Sequence, residues 1–211
     1  MKWVKENWRW TALNLFALAV MANLLWQSTT AGDFNRNYDP MLVSSGKWAI
    51  RFLLLCLLMT PLNTLFGWRS AVKLRKPAGL WAFEFALVHF VLNVAGTKEY
   101  WLRYPIPDYL AALGVIGLSI LTLMAATSSR WAMKHMGKWW KRLHRTVYAA
   151  GIIISSHALL ESSNKRVAAY DSQAGIETGL YLAILIALLA MRIPALRSTI
   201  ANLRHKQGAW R

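Results

Sequence analysis

Cysteine is almost absent from this chain of 211 residues. Its single copy, Cys56, lies in an apolar run, which excludes a disulfide framework and a cysteine-based metal site. Acidic residues are also scarce: nine Asp and Glu stand against 25 Lys and Arg, giving a net charge of +16. In a soluble protein such an excess would suggest nucleic-acid binding. The sequence also lacks a glycine-rich dinucleotide fingerprint, so it gives no sign of a domain that binds a nicotinamide or flavin dinucleotide.

Long apolar runs are what the sequence has instead. Hydrophobic residues make up 56% of it, and short basic loops separate the runs, as is typical of an integral membrane protein. We predict an all-α membrane protein, a bundle of six transmembrane helices forming one domain over residues 1–211. No internal repeat is evident, and the first run resembles a retained helix more than a cleaved signal peptide. The predicted spans are about Trp10–Trp26, Trp48–Phe66, Ala78–Ala95, Tyr109–Thr127, Leu143–Leu160 and Ile176–Ile193.

The charges of the loops predict the orientation of these spans. Eighteen of the basic residues fall in the N-terminal segment, the loops after the second and fourth spans, and the C-terminal tail, together with one acid, Glu6. The opposite side has six basic residues and seven acids. Because positively charged loops stay in the cytoplasm, both termini are predicted to be cytoplasmic. This topology explains the basic composition without any nucleic acid.

Two histidines lie at matching depth in the predicted spans. His89 follows Lys76, at the inner edge of the third span, by 13 residues, and His157 follows Leu143, at the inner edge of the fifth, by 14. With a rise of about 1.5 Å per residue, both lie roughly 20 Å from the cytoplasmic face. Axial ligation of a heme iron requires such a pair of imidazoles, one on each side of the metal. The alternative is a pair of histidines that only hydrogen-bond to neighbouring helices.

The cytoplasmic level of the same two spans is less symmetrical. His144 lies at the inner edge of the fifth span, whereas the position 14 residues before His89 is Arg75. A second heme with two histidine ligands is therefore not supported. His144 and His157 would also point about 140° apart on an ideal helix. Either the helix bulges, near Gly151, or the two side chains face different neighbours.

Two further charges fall within predicted spans. Arg51 lies near the outer end of the second span, where it either pairs with a heme propionate or extends to the membrane interface. Glu84 lies in the third span and has no evident partner in the sequence. Its role is left open.

Three segments resemble the ferric reductase-like transmembrane family, and within it the heme-binding membrane subunits of periplasmic methionine sulfoxide reductase systems. They are GKWAIRFLLLCLLMTPL at 46–62, RKPAGLWAFEFALVHF at 75–90 and GKWWKRLHRTVYAAGIIISSH at 137–157. The resemblance implies a six-helix b-type cytochrome in which His89 and His157 match the outer heme pair. The inner pair would be Arg75 and His144, so one ligand of a second heme is missing. For such subunits FMN as well as heme b is implied, and the local cations favour a flavin phosphate near Arg75 and His144.

The function that the resemblance implies is electron transfer across a bacterial inner membrane. Electrons would come from a cytoplasmic flavin reductase or the quinone pool, and go to a periplasmic molybdenum-containing methionine sulfoxide reductase that repairs oxidised proteins. Oxidases and iron reductases of the family carry a cytosolic flavin domain. Because this chain ends at Arg211, we expect a separate donor and no substrate-reducing site. The alternatives are a stand-alone ferric or quinone reductase and, in another class, a cofactor-free transporter or scaffold.

Overall fold

The computed structural model describes residues 6–30, 40–96, 109–163 and 172–193, and every regular element within these ranges is an α-helix. The prediction of an all-α protein is confirmed for this part of the chain. In chain order the helices are α1 (Trp8–Thr30), α2 (Pro40–Phe66), α3 (Arg69–Val72), α4 (Arg75–Gly96), α5 (Tyr109–Ala126), α6 (Arg130–Met136), α7 (Lys138–Arg145), α8 (Val147–Ser162) and α9 (Ala174–Ala190).

Five of the six predicted spans each lie on one helix, the fifth is divided between α7 and α8, and the helices differ in length. Four segments are long and apolar enough to cross a membrane: Trp8–Thr29, Met41–Phe66, Arg69–Ala95 and Tyr109–Ala126. The apolar helix α9 has 17 residues and α8 has 16, which at about 1.5 Å per residue give roughly 25 Å. That falls a little short of the ~30 Å of hydrocarbon in a bilayer. The count of six spans therefore stays a prediction.

The fifth predicted span is not one continuous helix. The chain turns at Thr146, between α7 and α8, and the Thr146 hydroxyl donates to the Leu143 carbonyl at 2.6 Å. Before this turn the sequence KWWKRLHR is strongly amphipathic and suits the membrane surface, whereas the sequence after it is apolar. His144 and His157 therefore lie on different helices and face different neighbours. Gly151 is not the site of a bulge; it lies within α8.

The helix α2 is the centre of the bundle. It packs most extensively against α4 and also contacts α1, α8 and α9. Its buried side chains Phe52 and Leu57 belong to the main hydrophobic core, and Phe52 stacks on Phe85 of α4 with the ring centroids 5.4 Å apart. This packing fixes the position of α4 relative to α2.

The helices α2, α4, α5 and α8 form a closed ring. The helix α4 packs against α2 and α5, and α8 packs against the same two helices. Within the described residues, α4 and α8 have no extensive backbone contact with each other. They therefore occupy opposite corners of the ring, and side chains from both can point into the space between them.

Candidate cofactor sites

His89 on α4 and His157 on α8 are held in the same way. The Nδ1 atom of His89 lies 2.8 Å from the Leu42 carbonyl oxygen of α2, and that of His157 lies 2.9 Å from the Leu110 carbonyl oxygen of α5. A carbonyl can only accept, so each Nδ1–H donates and each Nε2 keeps its lone pair. Neither Nε2 has a hydrogen-bond partner in the described part of the chain. Both rings are therefore prepared to bind a metal through Nε2.

A glycine lies beside each ring. A Cβ atom placed on Gly46 would be 3.0 Å from Nδ1 of His89, and one on Gly114 would be 3.2 Å from Nε2 of His157. Each glycine precedes its histidine by 43 residues, and the two sets are offset by 68. Sequence reasoning missed this repetition, although a shared Leu-x-x-x-Gly pattern at 42–46 and 110–114 could have revealed it.

The two imidazoles lie close enough to interact electrostatically, although the helices that carry them have no extensive backbone contact in the described ranges. The matching depth predicted for His89 and His157 is consistent with this arrangement. Two imidazole nitrogens from different helices can ligate a planar metal cofactor from its two sides.

Arg75 and His144 also lie close to each other. Arg75 is the first residue of α4 and His144 lies in the last turn of α7, and their charges interact. The imidazole of His144 stacks on Trp140 at a centroid distance of 4.0 Å, and its Nδ1 donates to the Trp140 carbonyl at 3.1 Å. The Nε of Arg75 and the Nε2 of His144 are buried without a partner among the described residues. Each of these two nitrogens could therefore form a hydrogen bond that no described residue provides.

Arg192, which follows α9, belongs to the same cluster, and sequence reasoning did not single it out. Its guanidinium donates through Nη1 to the Tyr148 hydroxyl and through Nη2 to the Leu57 carbonyl at 2.6 Å. It also interacts electrostatically with Arg75. In the sequence Arg192 was one of many cytoplasmic cations, and no feature of the sequence distinguished it from the others.

Arg51 on α2 forms hydrogen bonds to side chains of α9. Its Nε donates to the Tyr181 hydroxyl at 2.7 Å and its Nη2 donates to Glu177 at 2.6 Å. Lys47 forms a second ion pair with Glu177 at 2.6 Å, and the Arg51 guanidinium lies over the Trp48 ring. These contacts show how Arg51 is accommodated near the end of the bundle. A contact with a heme propionate stays a prediction.

Glu84 points away from the histidine pair. It is exposed and lines a groove of about 660 Å³ between α1 and α4. No described residue pairs with its carboxylate. The other lining residues are Trp10, Asn14, Met21, Lys76, Pro77, Leu80 and Trp81.

Comparison with known proteins places these sites in a family. Residues 45–155 match the ferric reductase like transmembrane component family, a range that includes His89 and ends two residues before His157. A protein of Bordetella pertussis is 31% identical over 84% of this chain and 85% of its own length. A protein of Brucella ovis is 34% identical over 78% of this chain and 73% of its own length. Both are named protein-methionine-sulfoxide reductase heme-binding subunit MsrQ.

No solved structure matches the chain. The resemblance predicted from the three sequence segments is confirmed by the family match and by these relatives. The chain is therefore a multi-pass membrane protein that belongs to the ferric reductase like transmembrane component family.

Proposed function

We propose that this protein is a membrane electron-transfer subunit that binds heme b through His89 and His157. The observation that carries the proposal is the duplicated arrangement of the two rings, each with Nδ1 bonded to a backbone carbonyl and Nε2 free. A carbonyl partner of this kind fixes the tautomer and the orientation of a ligating imidazole. The residues present therefore fit a heme with two histidine ligands.

Heme would supply a one-electron carrier within the membrane. The protein's own residues hold it and control its surroundings. The carbonyls of Leu42 and Leu110 orient the ligands, and Gly46 and Gly114 leave room for the rings. The aromatic side chains Phe52 and Phe85 are buried in the adjoining core, where they exclude water and keep the local dielectric constant low.

The inner site is proposed to take a flavin, FMN, with its phosphate near Arg75 and His144. Arg75 cannot ligate iron because its guanidinium stays protonated, but it suits a phosphate. Its buried Nε–H without an acceptor supports this choice. A second heme with His144 as its single protein ligand is the competing proposal, because the Nε2 of His144 is buried without a partner as well.

The names of the relatives indicate the wider system. They describe heme-binding subunits of protein-methionine-sulfoxide reductases. We propose by similarity that this chain passes electrons to a periplasmic molybdenum-containing methionine sulfoxide reductase and receives them from a cytoplasmic flavin reductase or the quinone pool. In this proposal the chain crosses a bacterial inner membrane six times, with both termini in the cytoplasm.

The experiment is a reduced-minus-oxidised visible spectrum of the purified protein and of two single variants, His89→Ala and His157→Ala. We expect a b-type signal in the wild type and its loss in both variants, because each variant retains only one of the two axial ligands. His135→Ala is the matched control: His135 is exposed on α6 and stacks on Trp131, so its loss should leave the signal intact. Full heme content in both single variants would contradict the assignment, and a colourless wild-type protein would favour a transporter or scaffold.

A further inference from the structure

Two arginines of the inner cluster each bury a donor that has no acceptor. The Nε–H groups of Arg75 and Arg192 are shielded from solvent, and neither finds a partner among the residues that the structure describes. The two guanidinium groups also interact with each other, so like charges are held close together. Both remain protonated, and burying unpaired charge is costly. An anion between them would remove both penalties.

The described residues offer little to neutralise this pair. The Cys56 thiol interacts with both arginines, but a thiol is a weak hydrogen-bond acceptor and balances little of their charge. Both carboxylate ion pairs in the described ranges involve Glu177, which lies 15 residues before Arg192, or about 22 Å along a helix. Glu84 lines the groove between α1 and α4. Glu6, the one acid in the basic segments of the sequence, is exposed. No carboxylate among the described residues pairs with Arg75 or Arg192, so a bound anion would supply the charge that the described part of the chain does not.

Arg192 is held by a backbone carbonyl that a proline leaves without its helical hydrogen bond. Pro61 lies inside α2, and because it has no backbone N–H it cannot donate to the carbonyl four residues earlier. That carbonyl belongs to Leu57, and it accepts from Nη2 of Arg192 at 2.6 Å. With Nη1 bonded to the Tyr148 hydroxyl, the guanidinium is fixed by two groups on one side while Nε–H stays available.

We propose that Arg75 and Arg192 together form a binding site for a phosphate group. Arginine recognises phosphate through paired, charge-assisted hydrogen bonds, and Arg75 on α4 and Arg192 after α9 would hold it from two sides. The phosphate is either the monoester of FMN or the headgroup of an anionic lipid. The inference rests on the inner site proposed above, to which it adds Arg192, but it does not depend on the heme.

The first test measures binding of FMN and of riboflavin, which lacks the phosphate, to the full-length protein in phosphatidylcholine nanodiscs. Arg75→Gln and Arg192→Gln should each weaken FMN binding by about tenfold to a hundredfold, as for the loss of a hydrogen bond between charged groups. Riboflavin binding should not change. Arg145→Gln is the matched control, because Arg145 is an exposed cation on α7. The heme spectrum, recorded on each sample, reports separately on the proposed heme site.

The second test identifies the source of the phosphate. If the wild type does not bind FMN, nanodiscs with and without phosphatidylglycerol should show that the lipid co-purifies with the protein and is lost in the two glutamine variants. This outcome supports a lipid headgroup as the ligand. If Arg192→Gln retains both FMN and phosphatidylglycerol at wild-type levels, the site is not a phosphate site.

A third variant separates binding from structure. Pro61→Ala gives the Leu57 carbonyl a helical N–H donor, so Arg192 is no longer needed to satisfy it. In this background Arg192→Gln should preserve the heme band and the melting temperature and still lose the phosphate ligand. Equal ligand binding by Pro61→Ala and by the double variant would show that Arg192 has only a structural role.

Discussion

Each imidazole of the histidine pair meets a neighbouring helix at a glycine. Gly46 lies one helical turn after Leu42, whose carbonyl holds His89, and Gly114 lies one turn after Leu110, whose carbonyl holds His157. The closest ring atoms differ: Nδ1 of His89 is nearest at the first site, whereas Nε2 of His157 is as near as Cε1 at the second. The first glycine therefore protects a hydrogen bond, and the second protects the proposed metal-binding edge.

We predict that alanine at either glycine displaces its imidazole. Contacts of 3.0–3.2 Å are too short for a methyl group, so the ring or the helix must shift, at a cost of about 1–3 kcal/mol as in other overpacked sites. Gly114→Ala should weaken the ligand more, giving a larger high-spin fraction by electron paramagnetic resonance. Gly46→Ala should shift the midpoint potential and keep most of the heme.

The control for both variants is Gly179→Ala on α9. No atom lies within 4 Å of a Cβ placed there, so alanine should stabilise the helix by about 0.5–1 kcal/mol. Its heme signal should match that of the wild type. Unchanged spectra in Gly46→Ala and Gly114→Ala as well would show that the rings tolerate the added methyl groups.

Sequence alone could select His89 and His157 as candidates because depth in a membrane follows from residue counts and loop charges. The groups that hold the rings could not. A backbone carbonyl such as that of Leu42 has no side-chain signature, and its partner depends on how two helices are aligned. Arg192 was missed for a related reason, since its contact with the Leu57 carbonyl depends on the packing of α9 against α2.

At the scale of elements, the short helix α9 is attached to α2 near both of its ends. Near its start, Glu177 pairs with Lys47 and Arg51 of α2. After its end, Arg192 donates to the Leu57 carbonyl of the same helix. These polar contacts supplement the apolar packing of α9 and determine its register against α2.

Replacing Glu177 with Gln should loosen the first of these attachments. Lys47 and Arg51 would lose their shared carboxylate, and because the three side chains are partly exposed we expect a loss of only about 1 kcal/mol, seen as a lower melting temperature in detergent. Glu161→Gln is the matched control, because Glu161 forms no ion pair in the described ranges. If the two variants melt alike, the Glu177 pairs contribute nothing to stability.

The division between α7 and α8 shows where hydropathy alone fails. The apolar count placed the start of the fifth span at Leu143, because Leu143 begins a run that is hydrophobic on average. The turn at Thr146 arises from a local hydrogen bond to Leu143 and from the change between an amphipathic and an apolar sequence. Averaging over a window hides both, whereas the remaining spans were predicted with correct type and approximate position.

At the scale of the whole molecule, the ring of helices has two similar halves. The pair α2 and α4 holds His89 as the pair α5 and α8 holds His157, with the same separation of 47 residues between carbonyl and ring. The sequence shows no evident repeat because the side chains of the halves differ almost everywhere. What the halves share is the contact between the ring and a backbone carbonyl, together with one leucine, one glycine and one histidine each.

In the predicted topology, α4 and α8 both run outward from the cytoplasm. In a Cys56→Ala background, which removes the single cysteine, we place one new cysteine at Lys73 or at Ser172. Both positions are exposed, and the charge distribution places Lys73 inside and Ser172 outside. A membrane-impermeant maleimide should label Ser172→Cys in intact spheroplasts and label Lys73→Cys only after permeabilisation. Labelling of Lys73→Cys in intact spheroplasts would reverse the topology and put the Arg75 and Arg192 cluster on the outer side, away from any cytoplasmic donor.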